Sequence, residues 1–193
     1  TAYEIPKRDW SSDVCSSDLQ GEGERLPAWL AAMPELSPEQ VELQRLRAGF
    51  PAAPGELNDD TNPFELGLAP WVSLNKGCYV GQETLAKLAT YDGVKQQLRH
   101  WRASRTGPAA ADACAPGTPL ITTAGGRAGV ITSVLPGPDG LEGLALVRRS
   151  AMEDTELLAG ESGSGSGAIS LEISTPAGFV APPVGAGGGA ARS

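Results

Sequence analysis

Lys76-Gly77-Cys78-Tyr79-Val80-Gly81-Gln82-Glu83 carries more information than any other octet in this 193-residue chain. An apolar run, Trp71 to Leu74, leads in and reads as a short strand. A helix-forming run, Gln82 to Thr90, leads out, with Leu85, Leu88 and Ala89 on one side. The octet is therefore a strand-to-helix turn, and Gly77 and Gly81 give it the backbone freedom a sharp turn needs. Cys78 falls near the start of the helix, where the dipole favours a thiolate, and Lys76 adds positive charge two residues away. Cys78 is thus a candidate reactive thiol. The alternative is a cysteine packed into the turn and inert. Residue types alone favour that alternative, because free cysteine is among the most buried side chains.

Working outward, Ser37-Pro38-Glu39-Gln40 is a helix start: Ser as cap, Pro in the first turn and Gln three residues after the cap. The helix is expected to run to Ala48, with Gly49 in the left-handed cap and Leu43, Leu46 and Phe50 as its apolar stripe. Pro27 to Met33 is a shorter helix candidate. Asn62-Pro63-Phe64-Glu65 repeats the capping grammar for one turn ending near Gly67. From Val94 the chain becomes strand-rich: 94–103, 128–134, 141–147 and 168–174, the last alternating Ile169, Leu171, Ile173 with Ser170, Glu172, Ser174. Pro136 to Gly140 is a turn, Glu161 to Gly167 a flexible loop, and Thr106 to Gly117 an Ala/Pro-rich connector in which Cys114 is incidental. Several short strands at close spacing predict a small antiparallel barrel or sandwich. The fold class expected is α+β. Residues 20–91 form the mixed part, 92–175 the β-barrel and 176–193 a Gly/Ala-rich tail too poor in apolar surface to order.

The octet resembles, without a gap, the signature of the YgfZ-type folate-binding proteins, relatives of the glycine-cleavage T protein. Leu46-Arg47-Ala48-Gly49-Phe50-Pro51, Asn62 to Leu68 and Gly93-Val94-Lys95-Gln96-Gln97-Leu98 are similar to that family as well, so the likeness covers about residues 37–148. It implies the C-terminal part of a GcvT-like folate-binding domain followed by a β-barrel. It also implies tetrahydrofolate as cofactor, and a role assisting assembly or repair of iron–sulfur enzymes, including tRNA-modifying ones. Partners would be folate and iron–sulfur enzymes or assembly factors. The motif residues carried over are Lys76, Gly77, Cys78, Tyr79, Gly81, Gln82 and Glu83, with Cys78 the matching cysteine. One position departs: Arg47 stands where the family often has an acid, which in the T protein contacts the folate ring. The N-terminal half that supplies much of the folate cleft is expected to be missing. Two rivals stand beside this reading. One is an aminomethyltransferase of the glycine-cleavage kind, which usually lacks a cysteine in this turn; the other is a non-enzymatic binding module with Cys78 merely packed.

Residues 1–19 match, over both constant parts, the translation of a common short-read sequencing adapter, and are read as foreign to the fold. They hold four acids and two bases, so setting them aside changes the formal charge from −8 to −6. An acidic chain without a long basic run is a poor nucleic-acid surface. No apolar run is long enough to span a bilayer. Three scattered cysteines and one histidine leave no disulfide framework and no metal site, and a reducing cytoplasm fits best. Asn58 to Glu65 lacks the calcium-loop pattern and reads as a solvated turn. His100 reads as structural, and Arg148-Arg149 as a solvated basic pair.

Overall fold

The structure, a computed structural model, describes residues 33–137, 139–160 and 168–185. The chain divides into two units, 1–36 and 37–193, and the account below concerns the second. Residues 1–19, the helix expected over 27–33 save Met33, the 161–167 loop and the last eight residues of the expected tail lie outside the described residues.

Ser37 starts helix α1 (Pro38–Ala48) by a full capping box: its Oγ accepts from Gln40 N–H at 3.2 Å, and Gln40 Oε1 accepts from Ser37 N–H at 2.8 Å. Gly49 ends it at φ 73, in the left-handed region that costs glycine nothing. Leu46 is fully buried, but Phe50, expected on the same stripe, is 59% exposed. The reversal at Gly49 explains this, because helical spacing no longer applies beyond it.

Asn62 Oδ1 accepts from the N–H groups of Phe64 and Glu65, and Glu65 Oε2 accepts from Asn62 N–H, the expected cap closing a single turn. That turn buries Phe64 and Leu66. Trp71–Leu74 is not a strand. Ala69–Trp71 is a short 3₁₀ turn, and Val72 and Leu74 continue as coil against Phe64, Ala89 and Val94. A strand needs a free edge to pair with, and the neighbouring sheet, closed on itself, offers none. Helix α2 (Gln82–Thr90) forms as expected, with Leu85, Leu88 and Ala89 in that cluster.

The strands are β1 (Gln96–Ala103), β2 (Pro119–Ile121), β3 (Arg127–Gly137), β4 (Gly140–Arg148), β5 (Glu156–Ala159) and β6 (Ile169–Ser174). They close an antiparallel barrel in the order β1-β4-β3-β2-β5-β6, with β6 returning to β1. Along β6 the buried and exposed residues alternate as the sequence predicts. Trp101, Leu120, Ile131, Val147, Leu157 and Leu171 fill the interior. Trp101 Nε1 donates to Leu144 O at 3.1 Å, and its ring lies where any side chain at Gly143 would stand. The connector at 106–117 contains a helix, α3 (Pro108–Ala113), and Cys114 caps it, fully buried in the barrel core. Cys114 is thus a packing residue, not an incidental one, and burial pushes its thiol up.

Apolar contacts cross the change of element type near Tyr91–Val94. Leu46 of α1 shares a buried cluster with Leu98, Leu144 and Leu146 of the barrel. The tail expected to be unstructured from 176 is also corrected in its first part. Gly178 N–H donates to Ala48 O at 2.9 Å and Val180 N–H to Gly67 O at 3.1 Å. Pro176 lies on Gly49 and Phe179 on Gly67, so close that a Cβ at either glycine would overlap them. Apolar Pro176 and Phe179 supply the burial that a Gly/Ala-rich reading leaves out.

Candidate functional site

The octet is organised by Gln82, the first residue of α2. Its Nε2 donates to Leu74 O at 3.0 Å and Lys76 O at 3.2 Å, while its Oε1 accepts from Tyr79 N–H at 3.3 Å. One amide side chain thus ties both ends of the loop to the helix. Gly81 caps α2 at φ 86, and its carbonyl accepts from Leu85 N–H at 3.0 Å. That backbone strains any side chain with a Cβ, so Gly81 is required. Gly77 has no positive φ and open space around a would-be Cβ, so the turn does not demand glycine there.

Cys78 is exposed, not packed into the turn. It precedes the Gly81 cap by three residues. The Lys76 ammonium lies 5.0 Å from the centre of the Tyr79 ring, a cation–π contact. The Tyr79 hydroxyl is buried without a partner among the described residues. Glu83 pairs with Lys87 one turn on, an exposed pair that supports the helix. Val80 and Trp71 leave large apolar side chains bare beside these residues in sequence.

A second polar centre was not legible in the sequence. Glu142 on β4 is buried at 3% side-chain exposure, and Arg47 of α1 reaches it with two hydrogen bonds, 2.9 and 2.6 Å. Arg102 of β1 adds a third at 3.2 Å. Arg47 first, then Arg102, hold the carboxyl down at about 2 against the burial that pushes it up. His100 Nε2 stands 3.3 Å from Glu142 Oε2 but is not aligned for a hydrogen bond. Burial pushes the His100 imidazole down, with Glu142 opposing. Arg102 meets Glu142 because β1 and β4 pair with the two residues opposite each other, and Arg47 reaches it from α1. Cross-strand register of this kind has no local sequence signal.

This centre bears on folate. A pterin ring presents N–H donors and needs a carboxylate acceptor. Arg47 offers donors instead, and both oxygens of Glu142 are already engaged. This centre therefore does not by itself offer the ring its acceptor. Among the described residues, no group of His, Cys, Asp and Glu is placed to hold a metal ion, and no helix is long and apolar enough to cross a membrane.

No family model matches the chain. Over 111 residues it is 40% identical to a chloroplastic protein of Arabidopsis thaliana named as a putative transferase; the match takes in 55% of this chain and 23% of that protein. The crystal structure of the glycine cleavage system aminomethyltransferase T from Bartonella henselae superposes with a TM-score of 0.56 at 23% identity, over 72% of this chain and 38% of that one. The chain spans under two-fifths of the solved structure and about a quarter of the plant protein. At that identity the structural likeness is one of fold: an α+β segment with a closed antiparallel barrel, as in the glycine-cleavage T protein.

Proposed function

We propose that the chain is part of a YgfZ-type protein of the T-protein superfamily, one that assists assembly or repair of iron–sulfur enzymes, including tRNA-modifying ones. The observation that carries this reading is an exposed Cys78 within an ungapped signature octet, on a fold shared with a T protein. Cys78 acts as the reactive thiol, Gln82 fixes the loop that presents it, and Gly81 turns the chain into α2. Tetrahydrofolate is the ligand suggested by the superfamily. The Glu142 centre offers the ring no free acceptor, so this 193-residue chain alone is expected to show no saturable folate binding. Thiol chemistry of this kind belongs in a reducing compartment, the cytoplasm.

The test is genetic and chemical. A full-length protein carrying Cys78→Ser, expressed in a strain lacking its own copy, should support iron–sulfur enzyme activity poorly while its melting curve stays unchanged. Iodoacetamide should label Cys78 and spare Cys114. Full support by the Ser variant would remove Cys78 from the mechanism. Aminomethyl transfer to tetrahydrofolate by the full-length protein would favour the aminomethyltransferase reading instead.

A further inference from the structure

The start of β1 and the end of β4 gather positive charge. The register sets Gln96 opposite Arg148, and Arg149 N–H donates to Lys95 O at 2.8 Å. Lys95, Arg148 and Arg149 thereby line one shallow surface hollow of about 300 Å³, together with Asp92 and Ser150. Three cations face one acid. Asp92 engages Arg149 through both its carboxylate and its carbonyl oxygen. The side chains of Lys95 and Arg148 have no hydrogen bond or ion pair among the described residues. In a chain with a formal charge of −8, this is a local reversal of sign. Such a local excess of positive charge draws small anions to it.

We infer that this hollow binds a phosphate-type dianion, either free or as the phosphate group of a larger ligand. Two neighbouring guanidinium forks suit the oxygens of a tetrahedral anion better than a lone ammonium does. Lys95, just before β1, adds a point charge. Asp92 is the internal competitor, because it holds the Arg149 fork until an anion takes its place. The Arg148-Arg149 pair is therefore a binding element and not a merely solvated one.

The experiment titrates the whole chain with pyrophosphate at low ionic strength, following backbone amide shifts and calorimetric heat. Shifts should concentrate at residues 92–95 and 148–150. Arg148→Glu should weaken binding about tenfold or more, and Lys95→Ala should weaken it less, as expected for local charge recognition. Asp92→Asn should tighten binding, since it frees Arg149. Arg105→Glu makes the same charge change beyond the far end of β1 and should leave binding nearly unaltered. Adding sodium chloride should weaken binding in proportion to the charges neutralised. A flat titration overturns the inference. So does an equal loss in Arg105→Glu, which would mean only a response to net charge. Oligonucleotide binding that pyrophosphate fails to displace would also overturn it, pointing to a nucleic-acid surface instead.

Discussion

Replacing Glu142 by Gln tests how strongly the buried carboxylate holds helix α1 to the barrel. The folded carboxyl lies at about 2 against an ordinary 4.5. By proton linkage, that difference is worth roughly 3 kcal/mol of stability at neutral pH. The folded value is depressed, so the stabilisation is fully present above the unfolded value and is lost as pH falls toward 2. Gln keeps the shape and one acceptor but not the charge. Arg47 and Arg102 are 43% and 47% exposed, so both can rehydrate when the carboxylate is gone. The expected loss at pH 7 is therefore about 2–3 kcal/mol, below the usual cost of orphaning a fully buried charge. Urea unfolding of both proteins, repeated at steps from pH 7 to pH 2, reads this directly. The gap between them should close as the pH falls. A gap under about 0.5 kcal/mol at pH 7, the ordinary range for a surface change, would refute the reasoning. So would a gap that does not vary with pH.

Two further outcomes separate positions that look alike in the sequence. Gly81→Ala should destabilise by about 1 kcal/mol or more, because it forces a Cβ into the left-handed region; Gly77→Ala should change stability by less than about 0.5 kcal/mol, both read by thermal melts. Ser37→Ala removes the α1 cap and should cost about 1 kcal/mol, with faster amide exchange confined to the first turn of that helix.

What the sequence made legible was local. Ser37, Gln40 and Gly49 announce both ends of α1 because capping is a matter of residues three apart. Ile169 to Ser174 announces a strand because six residues suffice to show alternation. β2 and β5, of three and four residues, are too short to show a period. Trp71–Leu74 has the composition of a strand without a free sheet edge to join. The candidate site divides in the same way. The octet stands out as contiguous sequence, and Gln82, its organiser, lies within it. The Glu142 centre joins residues 95 positions apart, and no window along the chain contains both. Cys114 illustrates the converse failure: Ala/Pro-rich surroundings conceal a residue at the centre of the barrel.

The crossing of Pro176–Val180 over Gly49 and Gly67 also has a mechanical meaning. Gly185, Val180 and Gly178 donate in turn to Ala89, Gly67 and Ala48. Traction applied beyond Gly185 therefore meets these bonds in series, each broken alone, as in peeling tape. β6, by contrast, lies between β5 and β1 and is held by both neighbours at once, so it resists the same pull in shear. Under load the molecule has a soft element ahead of a stiff one. The segment separates from helix α1 and the Asn62–Gly67 turn while the barrel still holds its shape.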